Sequence, residues 1–188
     1  MIPYTAERRA DTRVTNVTMG IWLFLASEVM LFGAFFSAYA LLRFSATEWP
    51  SGPSLLDLNF GFANTLVLVV MTVVIWQGRR SSVAGARKHL LVASGLAVVF
   101  LAIKSYEWTS EIHTGLVPSA NTFLATYFTL TGMHALHVAG GLVANLWAYS
   151  GASRVGDAMT RGRVEALSLY WAFVDIVWLL ILVFLYVF

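Results

Sequence analysis

The sequence contains no cysteine, which excludes disulfides, thiolate metal sites and cysteine nucleophiles. Charge is scarce too: charged residues make up 12% of the chain, against about 25% in an ordinary soluble domain. The net charge of +2 is too small to suggest a nucleic-acid partner, and its placement matters more than its size. The first 18 residues carry charges of both signs and no leading apolar core, so they do not read as a signal peptide. Low-complexity tracts, convincing internal repeats and a second domain are also missing. The expectation is one domain over residues 1–188.

What is present is apolar. Residues of the AVILMFWYC set account for 59% of the chain, and the mean hydropathy is +0.73. A helix needs about 20 mostly apolar residues to cross the hydrocarbon core. Five stretches qualify, 19–42, 58–77, 90–108, 122–149 and 166–187, which predicts an all-α integral membrane bundle of five transmembrane helices. Breaker residues separate them: Pro50, Gly52 and Pro53, then Gly78, then Gly115 and Pro118, then Gly151.

Charge placement predicts the orientation. Arg8, Arg9 and Arg13 precede the first span, while Arg79, Arg80, Arg87 and Lys88 follow the second. Arg154, Arg161 and Arg163 follow the fourth, and the opposite side carries Arg43 alone. Basic residues accumulate in cytoplasmic loops, so the N-terminus is expected in the cytoplasm and the C-terminus outside.

Six ionisable residues lie within the spans: Glu28, Lys104, Glu107, His134, His137 and Asp175. Such groups cost about 2.5–3.5 kcal/mol each on insertion scales and usually face protein or water. Glu28 and Asp175 lie about 13–14 Å in from the cytoplasmic side, and His137 about 18 Å, at 1.5 Å per residue. His134 is one turn deeper, and its i, i+3 spacing puts it on the same helix face as His137. A polar cluster of Glu28, His134, His137 and Asp175 is therefore expected somewhat cytoplasmic of the midplane. Lys104 and Glu107, also i, i+3, are expected to form a local ion pair near the outer end of the third span.

Three readings of the cluster compete. Imidazoles and carboxylates suit iron, zinc or manganese, they can relay protons, or they can simply bond helices together. The residues alone favour structural pairing over proton handling, and both over a metal, because one His-x-x-His is a weak metal signal. Gly132, Ala135, Ala139, Gly140 and Ala144 thin one side of the fourth helix, and the Gly140–Ala144 spacing predicts close helix contact. Trp49, Trp108 and Trp147 read as interfacial anchors. Trp22, Trp171 and Trp178 are candidates to line a lipid groove, with plain packing as the default.

Four segments in register resemble subunit III of the haem-copper respiratory oxidases. The first span reads Ser27, Glu28, Val29, Met30, Leu31, Phe32, similar to the family's Ser-Glu-Val-Met-Phe-Phe. The third holds Glu107 and Trp108 where the family has a glutamate followed by an aromatic. In the fourth, Thr131, Gly132, Met133, His134, Ala135, Leu136, His137, Val138 is similar to Thr-Gly-Phe-His-Gly-Leu-His-Val. The fifth runs Tyr170, Trp171, Ala172, Phe173, Val174, Asp175, Ile176, Val177, Trp178, similar to Tyr-Trp-His-Phe-Val-Asp-Val-Val-Trp. The chain departs from the pattern at Ala172, where the family has histidine, and at Asn59, where many members place a carboxylate. It also lacks the first two helices of the seven-helix form and resembles the five-helix bacterial version.

The resemblance implies two helices and three helices around a V-shaped cleft that holds phospholipid. It implies a non-catalytic subunit of a bacterial inner-membrane oxidase, with no haem or copper of its own; these are expected in partner subunits. Subunit I is the expected direct partner, with subunit II and membrane lipids as further ones. The subunit would support proton uptake and protect the active site from turnover inactivation. Glu28, His134, His137, Asp175, Trp22 and Trp171 would hold the helices and the cleft, and Arg79, Arg80, Arg87 and Lys88 would meet lipid phosphates. A quinol oxidase subunit III, a nitric-oxide-reductase-associated homologue and a free-standing histidine metalloenzyme remain as alternatives.

Overall fold

The computed structural model describes residues 9–10, 13–152 and 156–187. Arg8 and Arg154, two of the basic residues used to orient the chain, lie outside these. The described residues form α1 (Asn16–Ser45), a single turn α2 (Gly52–Leu55), α3 (Leu58–Gly78), α4 (Val83–His113), α5 (Thr122–Gly151) and α6 (Asp157–Ile181). A π-helical turn, Leu182–Val187, continues α6. Each expected span lies inside one long helical stretch. Helices α1, α3, α4 and α5 start on side-chain caps: Thr15 accepts from the Thr18 amide, Asp57 from Asn59, Ser82 from Gly85 and Asn121 from Leu124. Each cap satisfies an amide that the helix itself leaves unpaired.

Four of the five long stretches, α1, α3, α4 and α6 with its π turn, are long and apolar enough to cross a membrane. Helix α5 is 30 residues long, but His134, His137 and Asn145 make it more polar. Large apolar side chains such as Met30, Leu41, Phe44, Leu66, Leu136 and Val143 point outward. A soluble bundle would hide these; in lipid they are the solvated face, while the backbone stays hydrogen-bonded within each helix.

Helices α3, α4, α5 and α6 close a ring, α3 on α4, α4 on α5, α5 on α6 and α6 on α3. Helix α1 lies outside it, against α6 and α5. Its buried residues are Leu25, Phe32 and Tyr39, spaced seven apart, so it docks along one narrow stripe. The α3 side chains buried in the ring follow a three-four spacing, Gly61, Asn64, Leu68, Met71, Ile75 and Gly78, as a helix with one packed face requires.

The thin side of α5 behaves differently from the sequence expectation. Gly140 meets only the Tyr170 hydroxyl, and nothing lies close to Gly132. The tight approach is at Gly141, where an added Cβ would stand 2.5 Å from the Trp171 ring. Gly140 and Ala144 instead form the wall of a groove, because small side chains at the α1 side leave space that α1 does not fill. Gly141→Val should therefore lower the thermal midpoint of the detergent-solubilised protein, by the about 1–3 kcal/mol typical of overpacking, while Gly140→Ala leaves it unchanged.

Candidate functional site

The expected polar cluster divides into separate parts. Glu28 of α1 and His137 of α5 meet directly, with Oε2 2.7 Å from Nε2. The other imidazole nitrogen of His137 lies 2.8 Å from the Met133 carbonyl oxygen and so carries a hydrogen. The Glu28 contact then needs one more proton, held by either the imidazole or the carboxyl. Phe32 meets the His137 ring in a tilted contact at 4.9 Å, and the Tyr170 hydroxyl donates to the His137 carbonyl at 2.7 Å. This pair joins α1 to α5 and α6.

His134 is not part of it. Its i, i+3 offset from His137 is a rotation of about 60° on the helix, enough to turn it from α1 into the ring. There it is fully buried against Phe100 and Trp178, at ring distances of 5.6 and 5.2 Å, and neither nitrogen has a hydrogen-bond partner. Asp175 faces α3, beside Thr72, with Oδ1 buried and unpartnered. Among the described residues no group of three or more His, Asp or Glu side chains could hold a metal ion. The two imidazoles diverge, so the metal reading of His134-x-x-His137 finds no converging ligand set.

A second polar site is more tightly built than the sequence predicts. Lys104 and Glu107 are each about 1% exposed, and Nζ donates to Glu107 Oε2 at 3.1 Å. The ammonium also donates to the hydroxyls of Tyr127, at 2.8 Å, and Tyr186, at 2.6 Å. The Tyr186 hydroxyl donates to Glu107 Oε1 at 2.6 Å. Tyr127 lies 3.0 Å from Glu107 Oε1 and 2.9 Å from Glu111 Oε1. Tyr186 reaches the cluster from the π turn. The close fit of that turn is visible at Gly52, whose missing side chain lets the Leu185 carbonyl oxygen approach. Glu111 was detectable, since it stands one turn beyond Glu107 on the same face, but it falls past the expected end of the span. Tyr127 and Tyr186 come from other helices and carried no local signal.

The remaining feature is a groove of about 550 Å³ between the start of α1, the end of α5 and the start of α6. Ile21, Phe24, Gly140, Ala144 and Tyr170 make it apolar, and Arg163 stands at one end. The guanidinium lies 4.0 Å over the Trp147 ring, a cation–π contact that positions it without neutralising it. None of the three candidate groove tryptophans is in this lining: Trp22 is 57% exposed, Trp171 is fully buried and donates to Asn145 Oδ1 at 3.1 Å, and Trp178 is buried and donates to Thr65 Oγ1 at 2.9 Å. The indole N–H of Trp171 needs an acceptor at membrane depth, and Asn145 draws it inward. Among the expected phosphate contacts, Arg79 pairs with Glu165 at 3.6 Å and Arg87 packs 4.9 Å over Tyr149. Arg80 and Lys88 are exposed.

The family model described as "Cytochrome c oxidase subunit III" matches residues 7–188. A heme-copper oxidase subunit I+III from Aeropyrum pernix is 34% identical over 88% of this chain, which spans 22% of that protein's length. A cytochrome bo(3) ubiquinol oxidase subunit 3 from Pseudomonas aeruginosa is 32% identical, over 91% of this chain and 84% of its own. A cytochrome c oxidase subunit 3 from Thermostichus vulcanus is 31% identical, over 97% and 90%.

Removing one partner of a buried ion pair strands the other and costs about 3–5 kcal/mol. Lys104→Met should therefore depress the thermal midpoint strongly, and the double variant Lys104→Met, Glu107→Leu should recover much of that loss.

Proposed function

The chain belongs to the cytochrome c oxidase subunit III family, a subunit of haem-copper oxidase complexes, and on that premise we propose that it is a non-catalytic, lipid-holding partner of subunit I. The single observation that carries the reading is the groove under α1. It is apolar along its length, large enough for part of an acyl chain, and closed at one end by the Arg163 cation. A phospholipid matches both halves, its tail on Ile21 and Phe24 and its phosphate on Arg163. The lipid cleft is thus assigned to the gap between α1, which stands outside the ring of α3–α6, and the α5–α6 pair; a division of one helix from four takes the place of the expected two and three.

In this proposal all five long helices span a bacterial inner membrane as one domain, with the N-terminus in the cytoplasm and the C-terminus outside. Arg79, Arg80, Arg87 and Lys88 lie at the same end as Arg163 and extend the basic rim toward lipid headgroups. The Glu28–His137 pair fixes α1, and hence the width of the groove, while His134, Asp175 and Trp171 hold the ring. Haem and copper belong to partner subunits, with subunit I in direct contact and subunit II in the same complex. Support for the subunit I contact comes from the fused subunit I+III relative. Relatives named for cytochrome c and for ubiquinol oxidation match at nearly equal identity, so the donor is assigned to other subunits.

Two measurements test this. An oxidase purified without the chain should start at normal turnover and then lose activity faster than the intact enzyme; equal decay over many turnovers overturns the proposal. Arg163→Gln with Ala144→Phe, which removes the cation and fills the groove, should lose tightly bound phospholipid by native mass spectrometry and inactivate faster.

A further inference from the structure

A pocket of about 180 Å³ opens at the end of the bundle opposite the basic loops, between the start of α3 and the last turns of α4. Asp57, Ser110 and Thr114 line it, and at its base stand Glu107 and Glu111. Glu111 is 7% exposed, and its Oε2 is buried without a hydrogen-bond partner. Its other oxygen is the one that meets Tyr127. The pocket is large enough for several waters at about 30 Å³ each.

Counting hydrogens gives the reason for the pocket. The cluster has six short contacts: Lys104 to Glu107, Tyr127 and Tyr186; Tyr186 to Glu107; and Tyr127 to both Glu107 and Glu111. The Tyr127–Tyr186 separation of 3.3 Å is too long to need one. Lys104 supplies three hydrogens and each tyrosine one, which leaves one contact without a hydrogen. Counting alone would also allow a proton on Glu107 Oε1, given to Tyr127 while Tyr127 donates to Glu111. That neutralises the carboxylate that Lys104 ion-pairs and leaves the negative charge on Glu111, whose Oε2 has no partner. If Glu111 carries a proton and donates it to the Tyr127 oxygen, every contact is satisfied. Tyr127 then accepts twice and donates once, the full capacity of a hydroxyl. Charge leads to the same place. With both glutamates ionised, the buried cluster carries one uncompensated negative charge, which is costly in a low-dielectric interior; one proton brings it to zero.

We propose that Glu111 is a proton-binding site, loaded through this pocket from the aqueous phase at that end of the bundle. The step is simple: a hydronium in the pocket gives its proton to the Glu111 carboxylate, an O–H bond forms, and water remains. The titratable and charged groups around Glu111 are Lys104 and Glu107 on its own helix, Tyr127 on α5, Tyr186 in the π turn and Asp57 at the pocket mouth.

Infrared spectroscopy of the complex that co-purifies with this chain tests the site. The wild-type minus Glu111→Gln difference spectrum at neutral pH should contain a carboxylic-acid C=O band. The band should downshift in D₂O, as exchange through the pocket requires, and vanish at alkaline pH. Glu111→Gln should keep the wild-type thermal midpoint, because its amide N–H supplies the sixth hydrogen without charge. If that variant does not assemble, Glu111→Asp serves instead and should move the band. No acid band in the difference, a band unmoved in Glu111→Asp, or a band abolished by added Na⁺ or Ca²⁺ at constant pH overturns the proposal, the last in favour of a metal-cation site.

Discussion

One ammonium group ties the far end of this bundle together. Lys104 is about 1% exposed, so its three hydrogens must find partners inside the protein, and they find them on three different elements: Glu107 on its own helix, Tyr127 on α5 and Tyr186 in the π turn. Each partner fixes a helix. The π turn after α6 bends the chain so that Tyr186 can reach the cluster, and the carbonyl of the preceding Leu185 settles against Gly52 of α2. Local irregularity of this kind is tolerated in lipid when the protein itself satisfies the backbone. The cluster thus specifies how α4, α5 and α6 meet, a geometric task for which apolar contacts alone are less selective, lipid being as apolar as the helices.

The opposite end of the molecule follows a different rule. Arg79, Arg87 and Arg163 rest on aromatic rings or on Glu165, contacts that leave a cation accessible to an anion from outside. Buried charge is paired at one end; at the other, Arg79 alone of the three has a carboxylate partner, and Arg87 and Arg163 are steered by aromatic rings. The groove belongs to this second end. Its apolar wall exists because Gly140 and Ala144 carry too little side chain to fill the space beside α1.

Much of this was legible beforehand. Apolar runs of sufficient length mark the five long helices, and Pro50, Gly52, Pro53, Gly78, Gly115, Pro118 and Gly151 mark their separations. Lys104 and Glu107 were recoverable as a pair because one helix turn brings them together. Spacing along one helix carries no information about what its face meets, and that is where the reading stopped. His134 and His137 share a face, yet a rotation of about 60° sends one into an aromatic enclosure and the other to Glu28. Gly140 and Ala144 have the spacing of a contact face, but α1 stands off from them across the groove. Tyr127 and Tyr186 enter the ion cluster from distant parts of the chain, and only the assembled ring brings them to Lys104.

The narrow docking of α1 has a consequence for how the protein is made. Its stripe of Leu25, Phe32 and Tyr39 packs against the last helices of the chain, and the Tyr39 hydroxyl donates to the carbonyl of Phe184, 145 residues later. Glu28 waits for a histidine 109 residues away. Of these five helices, the first to be made is therefore the last to find its place. Until α5 and α6 are inserted it stands alone in the bilayer with a carboxyl group at depth, held there only by its own hydrophobicity. The groove has no second wall until α5 and α6 are made, so whatever it holds can enter only after them, along with α1 itself.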